Sequence, residues 1–293
     1  MKVYRRPVVG LALSGGGARG LAHIGVLKVL EREGIPVDCL AGASMGGAIA
    51  AGYAAGMPPA ELEKQARWLA RPRNLLSLID LRAPYGGLIR GEKVREHLVE
   101  MLGGDLDFNQ LRMPLAVTAV DLVTGKEHWL RDGSVVDAVR ATGAFPGVFE
   151  PVVMGQRHLT DGGVLNNLPV DVARALGAEV VIGVSVGLDF YDPALGQNPG
   201  APLLMRLSHN VWRAQAIATE ALVDFRLKEA RPELVIRPAI PAEITALQGY
   251  SRAEEVIAAG ERAAEAALDR IRKLTRPALR FRQPQAAYRD RLG

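Results

Sequence analysis

The alternation of strand-length apolar runs with segments of helical period constrains the fold of this chain more than any other feature. Pro7 to Ser14, Val37 to Ala41, Leu115 to Asp121 and Val180 to Val186 are short apolar runs that predict buried strands. Helical periodicity separates them, for example over Leu21 to Glu33. Strands that alternate with helices are typical of a parallel sheet with helices on both faces. The sequence therefore predicts an α/β fold with a mostly parallel central sheet.

Length and composition are consistent with a single domain. The chain has 293 residues, which is enough to bury a full core, and no polar stretch is long enough to require a second domain. Cys39 is the single cysteine, so an intrachain disulfide is excluded and a cysteine-ligated metal cluster is implausible. The apolar neighbours of Cys39 predict a core residue. We expect one domain over residues 1–274 and a basic C-terminal tail over residues 275–293.

Positive charge is concentrated near the C-terminus. The only acid from residue 270 onward is Asp290, among the cations Arg270, Arg272, Lys273, Arg276, Arg280, Arg282, Arg289 and Arg291. One interpretation is a solvated tail, and the other is contact with an anionic surface. Because no nucleic-acid motif accompanies these residues, no nucleic-acid partner is expected, and membrane phosphates are the favoured anionic surface.

Two further segments bear on the location of the protein. Met1 to Pro7 is basic but lacks the apolar region and cleavage site of a secretory signal. Cys39 to Ala60 carries no charge and is long enough to span a bilayer, but its composition and its two prolines favour a buried strand, a tight turn and a buried helix. We expect a cytoplasmic protein with a solvated basic tail; peripheral contact at the inner membrane surface is the alternative.

A long helix is predicted after a loop rich in proline, glycine and asparagine. Its apolar stripe consists of Leu204, Leu207, Val211, Ala214, Ala218, Leu222 and Phe225. Such a stripe forms either a face packed on the core or a lid that contacts lipid. The core face is the favoured interpretation, since most amphipathic helices bury their apolar side.

Gly42-Ala43-Ser44-Met45-Gly46 matches the pattern G-x-S-x-G between a predicted strand and a predicted helix. In that context the pattern indicates a nucleophilic serine. The two flanking residues must be glycine because side chains would clash in so tight a turn. Ser44 lies beside a helix N-terminus, whose dipole favours developing negative charge. We predict that Ser44 is a nucleophile and that the amide of Met45 helps to bind an oxyanion.

Gly15-Gly16-Gly17-Ala18-Arg19-Gly20 follows another predicted strand and allows two interpretations. It satisfies G-x-G-x-x-G, the dinucleotide-binding pattern, but the acidic residue which that pattern requires is poorly placed, since Asp38 lies at the start of the next strand. The alternative is an oxyanion hole, because consecutive glycines expose backbone N–H groups at a helix start. The oxyanion hole is favoured.

A serine nucleophile needs a base, and the histidines do not provide a convincing one. The five candidates are His23, His97, His128, His158 and His209. Asp161-Gly162-Gly163 follows a short predicted strand and presents a carboxylate beside two small residues. Burial of that carboxylate would raise its pKa enough for it to accept the serine proton. By itself, however, an Asp-Gly-Gly segment is more often a simple turn.

Together these motifs resemble the patatin-like phospholipases, most closely the bacterial branch similar to the neuropathy target esterase catalytic domain. The resemblance covers roughly Val8 to Arg272. It includes two further blocks, Gly86 to Lys93 and Ala141 to Pro151. One departure is Thr142, where many members of the family have serine; the hydroxyl is kept, so we expect the change to be tolerated.

The resemblance implies a three-layer α/β/α fold and a serine–aspartate dyad without a catalytic histidine. On this chain it makes Ser44 the nucleophile and Asp161 the base, with the oxyanion hole formed by Gly15, Gly16 and Gly17, with Arg19 close by. Gly42, Gly46, Gly162 and Gly163 support these motifs. No metal or organic cofactor is implied. The expected substrates are (lyso)phospholipids or related acyl esters; an acyltransferase, a non-catalytic regulatory member and a dinucleotide-binding protein are the alternatives.

Overall fold

The computed structural model describes residues 2–81, 88–187, 203–245 and 249–281, and the fold is built from helices and strands within these ranges. The helices are α1 (Ala22–Arg32), α2 (Ser44–Ala54), α3 (Pro59–Leu69), α4 (Pro72–Ser77), α5 (Glu92–Leu102), α6 (Val135–Thr142), α7 (Val170–Ala175), α8 (Leu203–Ala230), α9 (Ala253–Ala266) and α10 (Leu268–Thr275). The strands are β1 (Lys2–Arg5), β2 (Val9–Leu13), β3 (Cys39–Gly42), β4 (Leu115–Asp121), β5 (Glu127–Leu130), β6 (Val152–Met154), β7 (Arg157–Asp161), β8 (Val180–Val184), β9 (Leu234–Ile236) and β10 (Ala278–Phe281).

An eight-stranded, mostly parallel sheet organises the described chain, and β1 and β10 form a separate two-stranded sheet. The order of the larger sheet is β6-β7-β4-β3-β2-β8-β9, and β5 pairs with β4 beside this path. The five strands from β4 to β9 in this order are parallel to their neighbours, whereas β5 and β7 each run antiparallel to β4. Parallel neighbours bring the carboxyl ends of β2 and β3 to the same edge. The turns that follow these two strands, which contain the glycine loop and Ser44, therefore lie side by side.

The central strands are buried on both faces, as their continuous apolar sequences predicted. In β2, Leu11 and Leu13 face the helical layer that contains α1, α2 and α9. Ala12 faces the opposite layer, which contains α7 and part of α8. Successive strand side chains point to opposite faces, so two-sided burial requires an apolar residue at every position. The predicted three-layer α/β/α fold is confirmed.

The predicted core face of α8 is wrong for the residues whose side chains are described. Val211 and Phe225 are 65% and 61% exposed, and Leu222 is 36% exposed. Ala214 and Ala218 are exposed as well. The positions 204 and 207 of the same stripe lie outside the described side chains.

Polar contacts explain why a different face of α8 from the predicted one packs on the protein. Arg226 forms ion pairs with Glu127 of β5 and Asp171 of α7. Thr219 donates to the carbonyl oxygen of Gly163, and Val223, which is 2% exposed, packs in the same layer as α7. The face of α8 that carries these groups therefore contacts the protein, and the apolar stripe lies away from it.

The first part of the predicted basic tail forms a strand. Ala278 to Phe281 form β10, which pairs antiparallel with β1, and residues 282–293 lie outside the described residues. Arg270 donates to the carbonyl oxygen of Glu233, the residue before β9, so the basic residues of α10 lie at the edge where the parallel strands begin. That edge is opposite to Ser44. Within the described chain, no helix combines the length and the apolar character needed to cross a bilayer.

Candidate active site

Ser44 occupies a sharp turn between β3 and α2. Its backbone φ of 50° lies in the left-handed region, which a residue other than glycine rarely adopts. Gly46 must be glycine because a Cβ there would lie 2.4 Å from the carbonyl oxygen of Leu13, at the end of β2. A Cβ at Gly42 would meet the backbone of Gly47 at 2.6 Å. The turn therefore has the tight geometry that the G-x-S-x-G pattern predicted.

Asp161 is the last residue of β7 and lies against Ser44. The Ser44 hydroxyl donates a hydrogen bond to its carboxylate, and the Gly163 N–H donates a second at 2.7 Å. The side chain is 3% exposed. Burial raises the pKa of Asp161 to about 6, against the lowering effect of the two hydrogen bonds. The carboxylate is therefore positioned, and sufficiently basic, to take a proton from Ser44 near neutral pH.

The two glycines after Asp161 allow its turn to pack closely. A Cβ at Gly162 would lie 2.2 Å from the carbonyl oxygen of Thr118 in β4. A Cβ at Gly163 would lie 2.6 Å from the side-chain oxygen of Asn167. Gly162 therefore fits against β4 only without a side chain, and a side chain at Gly163 would displace the side chain of Asn167.

The glycine loop lies beside Ser44, but not all of its predicted donors are free. A Cβ at Gly15 would come within 2.9 Å of the Ser44 Cβ, which shows how closely the two turns approach. The Gly15 N–H, however, donates to the backbone oxygen and the side-chain oxygen of Asn167, both at 3.1 Å. The Gly15 amide therefore already has acceptors within the protein, and its predicted role as an oxyanion donor stays a prediction. In the described part of the chain, no backbone carbonyl accepts from the amides of Gly16 or Gly17.

The donors of Arg19 are engaged within the protein. Its N–H donates to the Gly16 oxygen, and its guanidinium donates to the carbonyl oxygens of Val186, Gly187, Pro241 and Ile244. Burial lowers its pKa to about 10. Because both its backbone and side-chain donors are engaged, Arg19 ties the glycine loop to the segments after β8 and β9.

The first two backbone amides of α2 differ in whether they donate a hydrogen bond within the protein. The Ser44 N–H donates to the Thr142 hydroxyl oxygen at 2.9 Å. For the Met45 N–H, no backbone carbonyl among the described residues is an acceptor. The first amides of a helix have no intrahelical partner, so Met45 retains a donor at the position expected for an oxyanion hole.

Sequence reasoning missed Asn167. Its side-chain oxygen accepts from Gly15, and its amide group reaches the Gly15 carbonyl at 3.5 Å. Asn167 thus connects the glycine loop to the turn that contains Asp161. Asparagine after an Asp-Gly-Gly turn was the available signal, but its long-range partner could not be read from the local sequence.

The candidate base His23 and the candidate dinucleotide-binding residue Asp38 both lie in polar contacts that serve the fold. His23 is fully buried, and its Nε2 donates to the Ser14 carbonyl at 2.8 Å; burial lowers its pKa to about 4. Asp38, considered for dinucleotide binding, pairs with Arg6 and accepts from the Val9 N–H. It lies where β2 begins, at the far end from the glycine loop, which contradicts the dinucleotide interpretation. His209 lies outside the described side chains.

The two additional motif blocks contact each other. The amides of Leu88 and Ile89 donate to the Val148 carbonyl at 3.0 and 2.9 Å. Phe145, in the same block, contacts the Trp212 ring of α8 edge to face, with the ring centroids 5.5 Å apart. The positions 86 and 87 lie outside the described residues. In the described chain, no three His, Cys, Asp or Glu side chains are grouped as a metal site.

Comparison with known proteins identifies the family. Residues 11–174, more than half of the chain, match the sequence model described as patatin-like phospholipase. This chain belongs to the patatin-like phospholipase family. The resemblance inferred from the ordered motifs is therefore confirmed.

Several patatin-like relatives are similar over the same region. An uncharacterised NTE family protein of Mycobacterium tuberculosis is 36% identical over 195 residues, which are 66% of this chain and 53% of the relative. Patatin-like phospholipase domain-containing protein 6 of Homo sapiens is 35% identical over 190 residues, 64% of this chain and 14% of the relative. The chain thus spans about half the length of the mycobacterial relative.

Solved structures with a similar fold are more distant. VipD from Legionella pneumophila superposes with a TM-score of 0.48 and 14% identity, over 90% of this chain and 67% of that one. The type III effector ExoU superposes with a TM-score of 0.44 and 14% identity, over 94% of this chain and 55% of that one.

Proposed function

We propose that this patatin-like protein is a serine ester hydrolase that cleaves acyl esters of lipids, with Ser44 as nucleophile and Asp161 as base. The observation that carries the proposal is the hydrogen bond from the Ser44 hydroxyl to a buried carboxylate whose pKa is raised to about 6. A carboxylate with its usual pKa near 4 would be a weaker base for a serine hydroxyl, and raising the pKa brings it closer to the working pH.

The reaction proceeds in two acyl-transfer steps. Asp161 takes the Ser44 proton as the serine oxygen attacks the ester carbonyl, and it then gives that proton to the departing alcohol. Water attacks the acyl-enzyme, passes a proton to Asp161, and releases the carboxylic acid while Ser44 is reprotonated. The amides of Gly16, Gly17 and Met45 bind the oxyanion in both tetrahedral intermediates. Each such donor contributes about 10²- to 10³-fold in rate.

Apolar surface near the site supports an acyl substrate. Phe145 and Trp212 pack edge to face beside the motif blocks. Val211, the residue before Trp212 in α8, is 65% exposed. Contact with such side chains removes apolar surface of an acyl chain from water, which is favourable, whereas a strongly hydrated substrate gains nothing from the contact. We therefore infer a (lyso)phospholipid or a related fatty-acyl ester.

Peripheral membrane contact is a separate part of the proposal. The basic residues of α10 lie at the edge of the sheet opposite to Ser44. If these cations bind membrane phosphates, Ser44 faces away from that membrane. We infer that contact through α10 would serve attachment, and that acyl substrate enters from the other edge.

The test is labelling with a fluorophosphonate, which reacts with activated serines, followed by mapping of the modified residue. We expect attachment to Ser44 in the wild-type protein and none in Ser44→Ala. Ser251→Ala, at an exposed position, is the matched control and should label fully. Hydrolysis of p-nitrophenyl acyl esters should disappear in Ser44→Ala alone. Labelling at another serine, or full hydrolysis by Ser44→Ala, would contradict the proposal.

A further inference from the structure

The backbone of Ser44 needs support from outside its own turn. Its φ of 50° is one of two positive values at non-glycine residues in the described chain; the other is at Arg231. A left-handed residue with a side chain is strained, and such a conformation persists where surrounding contacts hold it. Ser44 is also the first residue of α2, so its N–H has no acceptor within the helix.

Thr142 supplies a contact that addresses both features. It is the last residue of α6 and is fully buried. Its hydroxyl oxygen accepts from the Ser44 N–H at 2.9 Å, although the two residues are 98 positions apart in the chain. The bond holds the backbone of the serine itself, while the side-chain oxygen of Ser44 stays directed at Asp161.

The methyl group of Thr142 keeps its hydroxyl in this orientation. A Cβ at Gly47 would lie 2.9 Å from the Thr142 methyl carbon, so that methyl packs directly on the first turn of α2. A β-branched side chain has few χ1 rotamers, and one filled position for the methyl fixes the position of the hydroxyl. Packing and hydrogen bonding thus determine one arrangement together.

We propose that Thr142 is a positioning residue for acyl transfer, which holds Ser44 in its left-handed conformation by accepting its backbone N–H. This inference rests on the proposed function. The same bond also decides the roles of the first two amides of α2. It occupies the Ser44 N–H and leaves the adjacent Met45 N–H for the oxyanion. Thr142 touches neither substrate nor the reacting atoms; it acts through the geometry of Ser44.

One pair of variants separates the role of the Thr142 hydroxyl from that of its methyl group. Thr142→Val keeps the shape and removes the acceptor, whereas Thr142→Ser keeps the acceptor and removes the methyl. We expect Thr142→Val to lower kcat for p-nitrophenyl esters about 10- to 100-fold with KM within about two-fold, since a small misplacement of a nucleophile costs that much. Thr142→Ser should keep kcat within about three-fold while its melting temperature falls.

A merely structural role would give a different pattern, because activity would then follow the melting temperature in every variant. If Thr142→Val does not fold, Thr142→Ser and Thr142→Ala form the second pair, since they differ only in the hydroxyl. A kcat at least about ten-fold higher for serine than for alanine supports the proposal. Equal kcat values in either pair overturn it.

Failure of the proposed function is recognisable separately. If wild-type protein neither hydrolyses esters nor labels at Ser44, the function itself is wrong. If wild-type protein labels at Ser44 and folded Thr142→Val labels equally fast, the hydrolase stands and the positioning role of Thr142 is overturned.

Discussion

Asp121 and Asp161 belong to neighbouring antiparallel strands and have opposite electrostatic environments. Asp121 ends β4 and pairs with Leu159, and Asp161 ends β7 and pairs with Ala119. Their side chains are almost equally covered, at 2% and 3% exposed. The pKa of Asp121 is nevertheless lowered to about 2, whereas that of Asp161 is raised to about 6.

The donors and the depth of each carboxylate explain this difference. Asp121 is covered by its own turn and accepts from the Thr124 hydroxyl at 2.7 Å and from the amides of His158 and Val123. Those bonds stabilise the charged form and outweigh desolvation. Asp161 lies deeper, where desolvation outweighs its bonds from Ser44 and Gly163. Covered area alone therefore does not decide whether an aspartate can act as a base.

The largest expected effect comes from neutralising the two aspartates in turn. Asp161→Asn should lower kcat/KM for acyl esters by about 10²- to 10⁴-fold, because the amide cannot take the Ser44 proton. Asp121→Asn should leave kcat/KM within about three-fold. The check is to measure kcat/KM of both folded variants by steady-state kinetics.

The pH dependence provides a control for the same pair. In wild-type protein and in Asp121→Asn, kcat/KM should fall as the pH drops below about 6, where Asp161 becomes protonated. The residual activity of Asp161→Asn should lack this acid limb. An unchanged limb in Asp161→Asn would assign the titration to another group and would break the comparison.

A smaller effect is expected on stability, with opposite signs for the two carboxylates. The folded pKa of Asp161 lies above its unfolded value near 4, so the folded state binds more protons and loses stability as the pH rises from about 4 to about 6. Two pKa units correspond to about 3 kcal/mol. Asp161→Asn should therefore be more stable than wild type at pH 7, by at most that amount.

Asp121 should behave in the reverse manner. Its folded pKa lies below its unfolded value, so its contribution is present above about pH 4 and is lost as the pH falls towards about 2. Asp121→Asn should be less stable than wild type at pH 7, and the two should converge in acid. Urea unfolding of each variant between pH 2 and pH 7 tests both signs; the same sign for both would refute the electrostatic contrast.

The smallest effect is expected when a single donor to Asp121 is removed. Thr124→Val deletes the hydroxyl that donates to the Asp121 carboxylate and keeps the shape of the side chain. The pKa of Asp121 should rise and stability at neutral pH should fall by less than in Asp121→Asn, while kcat/KM stays within about two-fold. NMR titration of the carboxyl carbon measures the pKa; an unchanged value would remove Thr124 from the explanation.

The local sequence was sufficient for the central strands and for the two turns of the site. The predicted strand over Leu115 to Asp121 is confirmed at both ends. The glycines of G-x-S-x-G occupy positions where a Cβ would collide with backbone. These features are predictable because apolar periodicity and close backbone approach are expressed within a few neighbouring residues.

Predictions that depended on distant partners were less successful. Gly15 and Gly16 are equivalent in the sequence, but Asn167 occupies the amide of Gly15. Arg19 was predicted beside the oxyanion, and four carbonyl groups from remote segments engage its guanidinium. The apolar stripe of α8 was predicted to face the core, but from Val211 to Phe225, where its side chains are described, it is exposed, and the ion pairs of Arg226 hold the opposite face on the protein.

The sequence by itself determined the central strands, their burial on both faces and the residue types in the tight turns. Only the tertiary structure decided which amides remain free, which face of α8 is exposed, and which aspartate has a raised pKa. The physical reason is range: periodicity and backbone crowding act between neighbours in the chain. Desolvation and the pairing of donors with acceptors depend instead on groups that the fold brings together from far apart.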